Sequence, residues 1–424
     1  MHDEIDVDVC PGYPVSWQAA ALNTVMRGTL KPVSGLLLRT DTGVLAVSQL
    51  VALATRVPFR LPDHVSLAQD RVGECSGEWI RAGQGLDGED ASGFAGTAGR
   101  GVTGRGAVEQ EVAGHGVAGR GVAGHGAVER GTAGRGATGH GAAGYGAVGH
   151  GAAGGGITGG GAEEFDESRV VLYFHGGGYF ICSPVTHRPI TWRLSAAAGC
   201  PVLALDYRQG PVHTPVESLQ DAIAAYLCLL KRGYDPARIV FAGDSAGGHL
   251  TLATLLALRD RNLPLPSAAV CLSPWADLTD GPRRVNRLLD PLIPAGRVGW
   301  LARRWTVGLD ARDPLVSPVF GDYTGLPPLM VVTGSTEVLR DEGRRVAERA
   351  RAGGVPVRYE EWRRMPHVFA LLADLVPEAR QVFWHIARFL TATRTLAAGA
   401  GQGRPECSER AAGEPLTGPG SAAA

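Results

Sequence analysis

The chain is arranged around Arg238-Ile-Val-Phe-Ala-Gly-Asp-Ser-Ala-Gly-Gly-His-Leu250. Ile239 to Ala242 is a short apolar run of β-branched and aromatic type, which reads as a buried strand. Gly243-Asp244-Ser245-Ala246-Gly247 then fits G-x-S-x-G, and Leu250 to Leu258 is almost wholly apolar or small, as a helix behind a sheet would be. Strand, tight turn and helix are the context in which this pattern exposes a serine hydroxyl. So sharp a turn leaves no room for bulk beside Ser245, which gives Gly243 and Gly247 a steric reason. Two glycines in five residues also arise by chance, so the pattern needs partners elsewhere in the chain.

The 424 residues carry a formal net charge of −1, a balance that implies neither nucleic acid nor a membrane surface as partner. A Gly-rich middle and a Gly/Ala/Pro/Ser-rich tail from about Thr393 lack the large apolar side chains of a core and are expected to be disordered. Roughly 300 residues remain, enough for one α/β domain with a small appendage. The acidic N-terminus has no basic region followed by an apolar core, so no secretory signal is read, and no apolar run has spanning length. Seven cysteines are scattered without a C-x-x-C pair. An odd number of such residues suits reduced thiols, mostly small buried hydrophobes, and a cytoplasmic location.

From the N-terminus, residues 15 to 33 space Trp17, Ala21, Leu22, Val25 and Met26 along one helical face, and a second helix is expected over Gly43 to Arg56. Preceding the first strand, they read as cap helices within residues 1–60. Val65–Ala68 and Gly77–Arg81 read as a hairpin opening a catalytic domain that spans 61–84 and 165–392. Between its two parts, 85–164 repeats Gly-x-Gly-Ala/Val-x every five residues. Its units offer only small side chains, and glycine carries the largest ordering entropy, so a disordered insertion is expected rather than a solenoid. His115, His125, His140 and His150 recur there without carboxylate or thiolate partners, which argues against a metal array. The tail is taken as 393–424.

Strands follow at Arg169–Phe174, Pro201–Leu205, Ile239–Ala242, Ala268–Ser273, Leu329–Thr333 and Val355–Tyr359. Helices are expected at Val216–Lys231, after the elbow, and at Val285–Thr306, Glu337–Ala352 and Pro377–Leu390. Such alternation means a mostly parallel sheet covered on both faces, the α/β class.

His175-Gly-Gly-Gly178 stands at a strand's C-terminal end, where open α/β sheets place ligands. Its glycines let backbone N–H groups approach an oxygen, as in the oxyanion loops of lipases and esterases, and the N–H of Ala246 would join them. A serine nucleophile needs a base, and the chain order in such sheets is serine, acid, histidine. Of twelve histidines only His249, His367 and His385 follow Ser245. His249 lies one turn into the helix with no acid before it, and His385 lies inside a helix. His367, in Met365-Pro-His-Val-Phe369 after a strand, is the candidate base. The acid falls in Gly334-Ser-Thr-Glu337-Val-Leu-Arg-Asp341, where Glu337 comes first and Asp341 is the alternative.

These residues carry a family likeness. The chain resembles the hormone-sensitive-lipase group (bacterial family IV) of α/β-hydrolase esterases in His175-Gly-Gly-Gly-Tyr-Phe180, Asp206-Tyr-Arg208, Gly243-Asp-Ser-Ala-Gly-Gly248, Ser273-Pro-Trp-Ala-Asp277, Asp313-Pro-Leu-Val-Ser-Pro318, Gly325-Leu-Pro-Pro328 and Met365-Pro-His-Val-Phe369. The resemblance implies an α/β-hydrolase fold with a mostly parallel eight-stranded sheet, helices on both faces and an N-terminal helical cap. It also implies no cofactor and hydrolysis of short-chain carboxylic esters. It puts the nucleophile at Ser245, the base at His367, the acid at Glu337 and the oxyanion donors at Gly176, Gly177 and Ala246. Two departures stand out: Val212 replaces a glutamate common in the family, and the Gly-rich insertion has no counterpart there.

The expectation is acyl transfer to water, on a small-molecule ester, with no nucleic-acid partner, no metal and no stable membrane insertion; a homo-oligomer is compatible with it. Amide, lactone or aryl-acyl hydrolysis would use the same residues. A ligand-binding protein on this scaffold would be expected to lack the histidine that His367 supplies. A scaffold or wall-associated role for the insertion would call for an export signal.

Overall fold

The computed structural model describes residues 7–9, 11–54, 60–83, 165–279, 281, 283 and 285–401. The expected insertion 85–164, with its recurring histidines, and the tail beyond residue 401 lie outside the described residues.

One sheet organises the rest. Its strands are β1 (Val7–Val9), β2 (Val65–Val72), β3 (Cys75–Ala82), β4 (Val170–Phe174), β5 (Val202–Asp206), β6 (Ile239–Asp244), β7 (Ala268–Leu272), β8 (Leu329–Gly334) and β9 (Val357–Trp362). Their order is β1-β9-β8-β7-β6-β4-β5-β3-β2, all neighbours parallel except the hairpin β2–β3 and its antiparallel junction with β5. Eight strands match the expected sheet. The ninth is β1, three residues that pair with β9 at the edge (Val7 opposite Arg358).

Every residue of β4, β6, β7 and β8 is buried, as strands covered on both faces must be. Because side chains alternate, two cores form. Leu172, Phe174, Phe241, Cys271 and Val331 face one core, closed by α5 (Pro215–Lys231), α6 (Ala246–Asp260) and α8 (Arg340–Ala352). Tyr173, Val240, Val270, Met330 and Trp362 face the other, closed by α4 (Arg188–Ala198) and α9 (Pro377–Gly401). The helix behind the elbow is the most enclosed, with Leu250 to Leu258 buried throughout, so Leu256→Ala should cost about 2–5 kcal/mol. Helix α5 starts on a reciprocal cap: Thr214 Oγ1 accepts the Glu217 N–H and Glu217 Oε2 accepts the Thr214 N–H at 2.8 Å.

The cap is three helices rather than two: α1 (Trp17–Gly28), α2 (Leu30–Leu37) and α3 (Asp41–Ala54). Thr29 ends α1, and α2 restarts with Pro32 in its first turn, where a missing N–H costs nothing. The helix expected over Val285–Thr306 is confined to α7 (Ala295–Trp305). Pro291 and Pro294 bar the earlier turns, and the buried Asp290 carboxylate instead accepts the N–H groups of Leu292 and Ile293, each at 2.8 Å. Helix α9 runs past the expected tail boundary at 393 to Gly401, with Thr393 buried.

Candidate active site

Ser245 stands where β6 meets α6, with φ 52° and ψ −115°. An L-residue holds that conformation at a cost of about 1–3 kcal/mol, so the surroundings must enforce it. They do so by tight passage of backbone. A Cβ on Gly243 would lie 2.3 Å from the Gly247 carbonyl oxygen, and one on Gly247 would lie 1.9 Å from that of Phe174. The Ser245 N–H donates to Leu272 O at 2.9 Å, and its carbonyl accepts the Trp275 N–H at 3.0 Å. The side chain is left facing the cavity.

His367 follows β9 in a loop held against the end of β8. Thr336 Oγ1 donates to Met365 O at 2.7 Å, Val368 N–H donates to Ser273 Oγ at 3.1 Å, and Gly334 packs so closely that a Cβ would lie 2.2 Å from Met365 O. The loop thus delivers the imidazole between two partners. Its Nε2 lies 2.9 Å from Ser245 Oγ and its Nδ1 lies 2.7 Å from Glu337 Oε2. With a carboxylate at Nδ1 that nitrogen carries the proton, leaving Nε2 to accept from the serine hydroxyl. Glu337 is wholly buried, and its other oxygen accepts the Gly334 N–H at 2.6 Å. Burial alone would lower the His367 pKa, but the hydrogen bond and charge of Glu337 outweigh it and raise the value above the ordinary one.

The two candidate acids have different partners. Glu337 reaches His367, whereas Asp341 pairs with Arg340 at 2.9 Å on the surface. The other two histidines are engaged elsewhere: His249 between Tyr179 Oη at 2.6 Å and Val316 O at 2.8 Å, His385 on Glu360 at 2.7 Å.

The expected oxyanion donors differ in their surroundings. The Gly176 N–H is not free, because it donates to Asp244 Oδ1 at 2.8 Å. Gly177 and Gly178, at φ +114° and +62°, line the cavity beside Ser245 instead. Asp244 is the residue that the sequence did not reveal. Fully buried, it also accepts from Tyr173 Oη at 2.5 Å and stands 3.2 Å from His187 Nε2. Burial would raise its pKa, yet His187 beside it and the hydrogen bonds of His187 and Tyr173 hold it below the ordinary value. Its place inside the elbow was legible; that it anchors the glycine loop depends on a register between β4 and β6 that no motif encodes (Phe174 opposite Gly243). A second anchor is His175, stacked on Tyr207 at 4.5 Å and driven by burial to a pKa of about 3, hence neutral. Val212, where a glutamate was the family habit, is exposed, and Arg208 is held by Asp221 at 2.7 Å.

Ser245 and His367 open on a cavity of about 290 Å³ whose walls are mostly apolar: Leu38 and Val47 from the cap, Phe180, Ile181, Ile293 and Leu301 from the body. Among the described residues no group of three or more His, Cys, Asp or Glu is placed to hold a metal ion. A strained serine, a histidine bridging it to a buried carboxylate, and a glycine loop lining the same cavity form a constellation able to attack a carbonyl carbon.

Comparison with known proteins agrees. A family model described as alpha/beta hydrolase fold matches residues 171–371. An acetyl-hydrolase of Streptomyces hygroscopicus is 45% identical over 230 residues, covering 54% of this chain and 77% of the relative. A putative acetyl-hydrolase, LipR, of Mycobacterium tuberculosis is 39% identical over 216 residues, covering 50% of this chain and 70% of the relative. Among solved structures, an esterase from the bacterial hormone-sensitive lipase family superposes with a TM-score of 0.63 at 29% identity, covering 90% of this chain and 99% of its own.

Proposed function

The chain belongs to the hormone-sensitive-lipase group of α/β-hydrolase esterases and is a carboxylic ester hydrolase, and from that premise we propose that it cleaves short-chain esters through an acyl-enzyme formed on Ser245. The observation that carries this reading is the unbroken series Ser245 Oγ, His367 and Glu337, with contacts of 2.9 and 2.7 Å.

Ser245 Oγ attacks the ester carbonyl while His367 Nε2 takes its proton. Glu337 holds the imidazole in the competent tautomer and stabilises the imidazolium. The developing oxyanion is received by the N–H groups of Gly177, Gly178 and Ala246, whose geometry Asp244 fixes by holding Gly176. His367 then returns the proton to the leaving alcohol. Water, deprotonated by the same nitrogen, attacks the acyl-enzyme and frees Ser245. The small apolar cavity supports a preference for short acyl chains, since long ones exceed its volume of about 290 Å³. A cytoplasmic site of action is part of the proposal, to be tested by fractionation.

The test is hydrolysis of p-nitrophenyl esters from acetate to palmitate by wild type and Ser245→Ala. Activity concentrated on acetate to hexanoate and abolished by the substitution is expected. Activity surviving in Ser245→Ala removes the mechanism, and a maximum at palmitate removes the chain-length reading.

A further inference from the structure

The pocket rim has a composition that the mechanism does not use. Two segments build it, the cap helices α1–α2 and the turn 287–294 that precedes α7. They are joined by Arg27 Nη2 on Leu289 O at 2.9 Å, Lys31 Nζ on Asp290 O at 2.6 Å, and Ser34 Oγ on Leu292 O at 3.4 Å. Their inner sides line the cavity through Ser34, Leu38, Leu292 and Ile293. Their outer sides expose Val25, Leu30, Val33, Leu36, Leu288 and Leu289, each at least half exposed and Leu288 at 80%. Single exposed aliphatic side chains are ordinary; four leucines and two valines from two adjoining segments beside one cavity are not.

The exposed charge on these two segments is of one sign, the next acid being Asp41, which opens α3. Between Pro11 and Thr40 the chain carries Arg27, Lys31 and Arg39 and no acidic residue. The turn adds the exposed Arg287, with Arg297 just inside α7, and its one acid, Asp290, is wholly buried with its oxygens on the N–H groups of Val338, Leu292 and Ile293. A net charge of −1 for the whole chain conceals this local excess. Exposed apolar side chains interleaved with cations match a bilayer interface with anionic headgroups, where the side chains enter the acyl boundary and the cations meet phosphate. A second copy of the chain fits less well, because a two-fold contact through this face would set its own cations against one another.

We propose that this rim is the face by which the protein docks reversibly on an anionic lipid surface, turning the mouth of the cavity toward ester dissolved in the bilayer. The proposal goes beyond the hydrolytic reading and does not depend on it, since docking is measured without turnover.

The test is flotation of the full chain with vesicles of phosphatidylcholine alone and of phosphatidylcholine with about one-third phosphatidylglycerol, at low and high salt. Binding to the anionic vesicles, weakened by salt, is expected, and Leu288→Asp/Leu289→Asp or Arg287→Glu should weaken it by about tenfold or more. None of these residues lines the cavity, so hydrolysis of soluble p-nitrophenyl acetate should stay within about twofold and reports that each variant has folded. Sedimentation velocity is run on the same proteins. Failure of wild type to float with anionic vesicles, equal flotation of wild type and variants, or a dimer that the same substitutions dissociate would each overturn the proposal, the last by giving the face to a second copy.

Discussion

Asp244 offers the sharpest test of how the oxyanion loop is held. Its carboxylate is fully buried and accepts from Tyr173 Oη at 2.5 Å and the Gly176 N–H at 2.8 Å, with His187 Nε2 at 3.2 Å. Asp244→Ala strands all three polar groups in the interior, each at a cost of about 1–3 kcal/mol, and the shared site keeps them from adding fully. The total expected is about 3–5 kcal/mol, the range for removing one member of a buried charged network. Activity should fall further than folding does. Once Gly176 is released, Gly177 and Gly178 lose their aim, and one misplaced oxyanion donor costs on the order of 10²–10³ in kcat. Asp244→Asn separates the two effects. It keeps an oxygen for Tyr173 and Gly176 and turns an amide toward His187, so about 1–2 kcal/mol and less than about tenfold in kcat should be lost. Urea unfolding followed by tryptophan fluorescence measures the first quantity, and kcat and KM on p-nitrophenyl acetate measure the second. An Ala variant within about 1 kcal/mol of wild type, with kcat unchanged, would refute the anchoring role.

Other expectations follow from the same contacts. Because Glu337 raises the His367 pKa, and His367 must be neutral to act as base, kcat/KM should climb with pH through an apparent value above about 6.5. Glu337→Gln should move that limb to lower pH and reduce kcat by on the order of 10²–10⁴, whereas an unmoved limb would dissociate Glu337 from the base. Gly177→Ala would set a Cβ 2.0 Å from Ile181 O at a φ of +114°, so loss of activity by about 10² or more is expected; wild-type rates in that variant would remove the loop from catalysis. Cys182 lines the cavity, but burial pushes its thiol up to about 12, as it does those of Cys75 and Cys200. Iodoacetamide at neutral pH should therefore leave hydrolysis intact, and rapid inactivation with a label on Cys182 would contradict this.

What could be read from the sequence was what chemistry confines to short segments. The elbow around Ser245, the glycines after β4 and the loop of His367 each carry their reason locally, in sterics or in position after a strand. Glu337 was legible as the first candidate, with Asp341 left as the alternative, because two carboxylates four positions apart at a strand-to-helix junction differ only in which one the turn aims inward. The engagement of the Gly176 N–H could not be read: Gly176 and Gly177 are alike in sequence, and the contact with Asp244 depends on the register of β4 on β6. Helix α4 went unread because eight of its eleven residues are buried, which erases the one-sided pattern that marks an amphipathic helix. The edge strand β1 is three residues, too short for any periodicity. Helix α9 ran past the expected boundary because Ala-rich sequence suits a helix as well as a tail. The charge of the rim was hidden by summing over the chain.

The central claim is an acyl-enzyme on Ser245, and rapid-quench mass spectrometry of the intact protein during turnover of p-nitrophenyl butyrate addresses it most directly. One butyryl group per chain, mapped to the peptide containing Ser245, decaying with water and absent from Ser245→Ala, is the predicted result. Turnover at full rate with no covalent adduct, or an adduct on another residue, would contradict it.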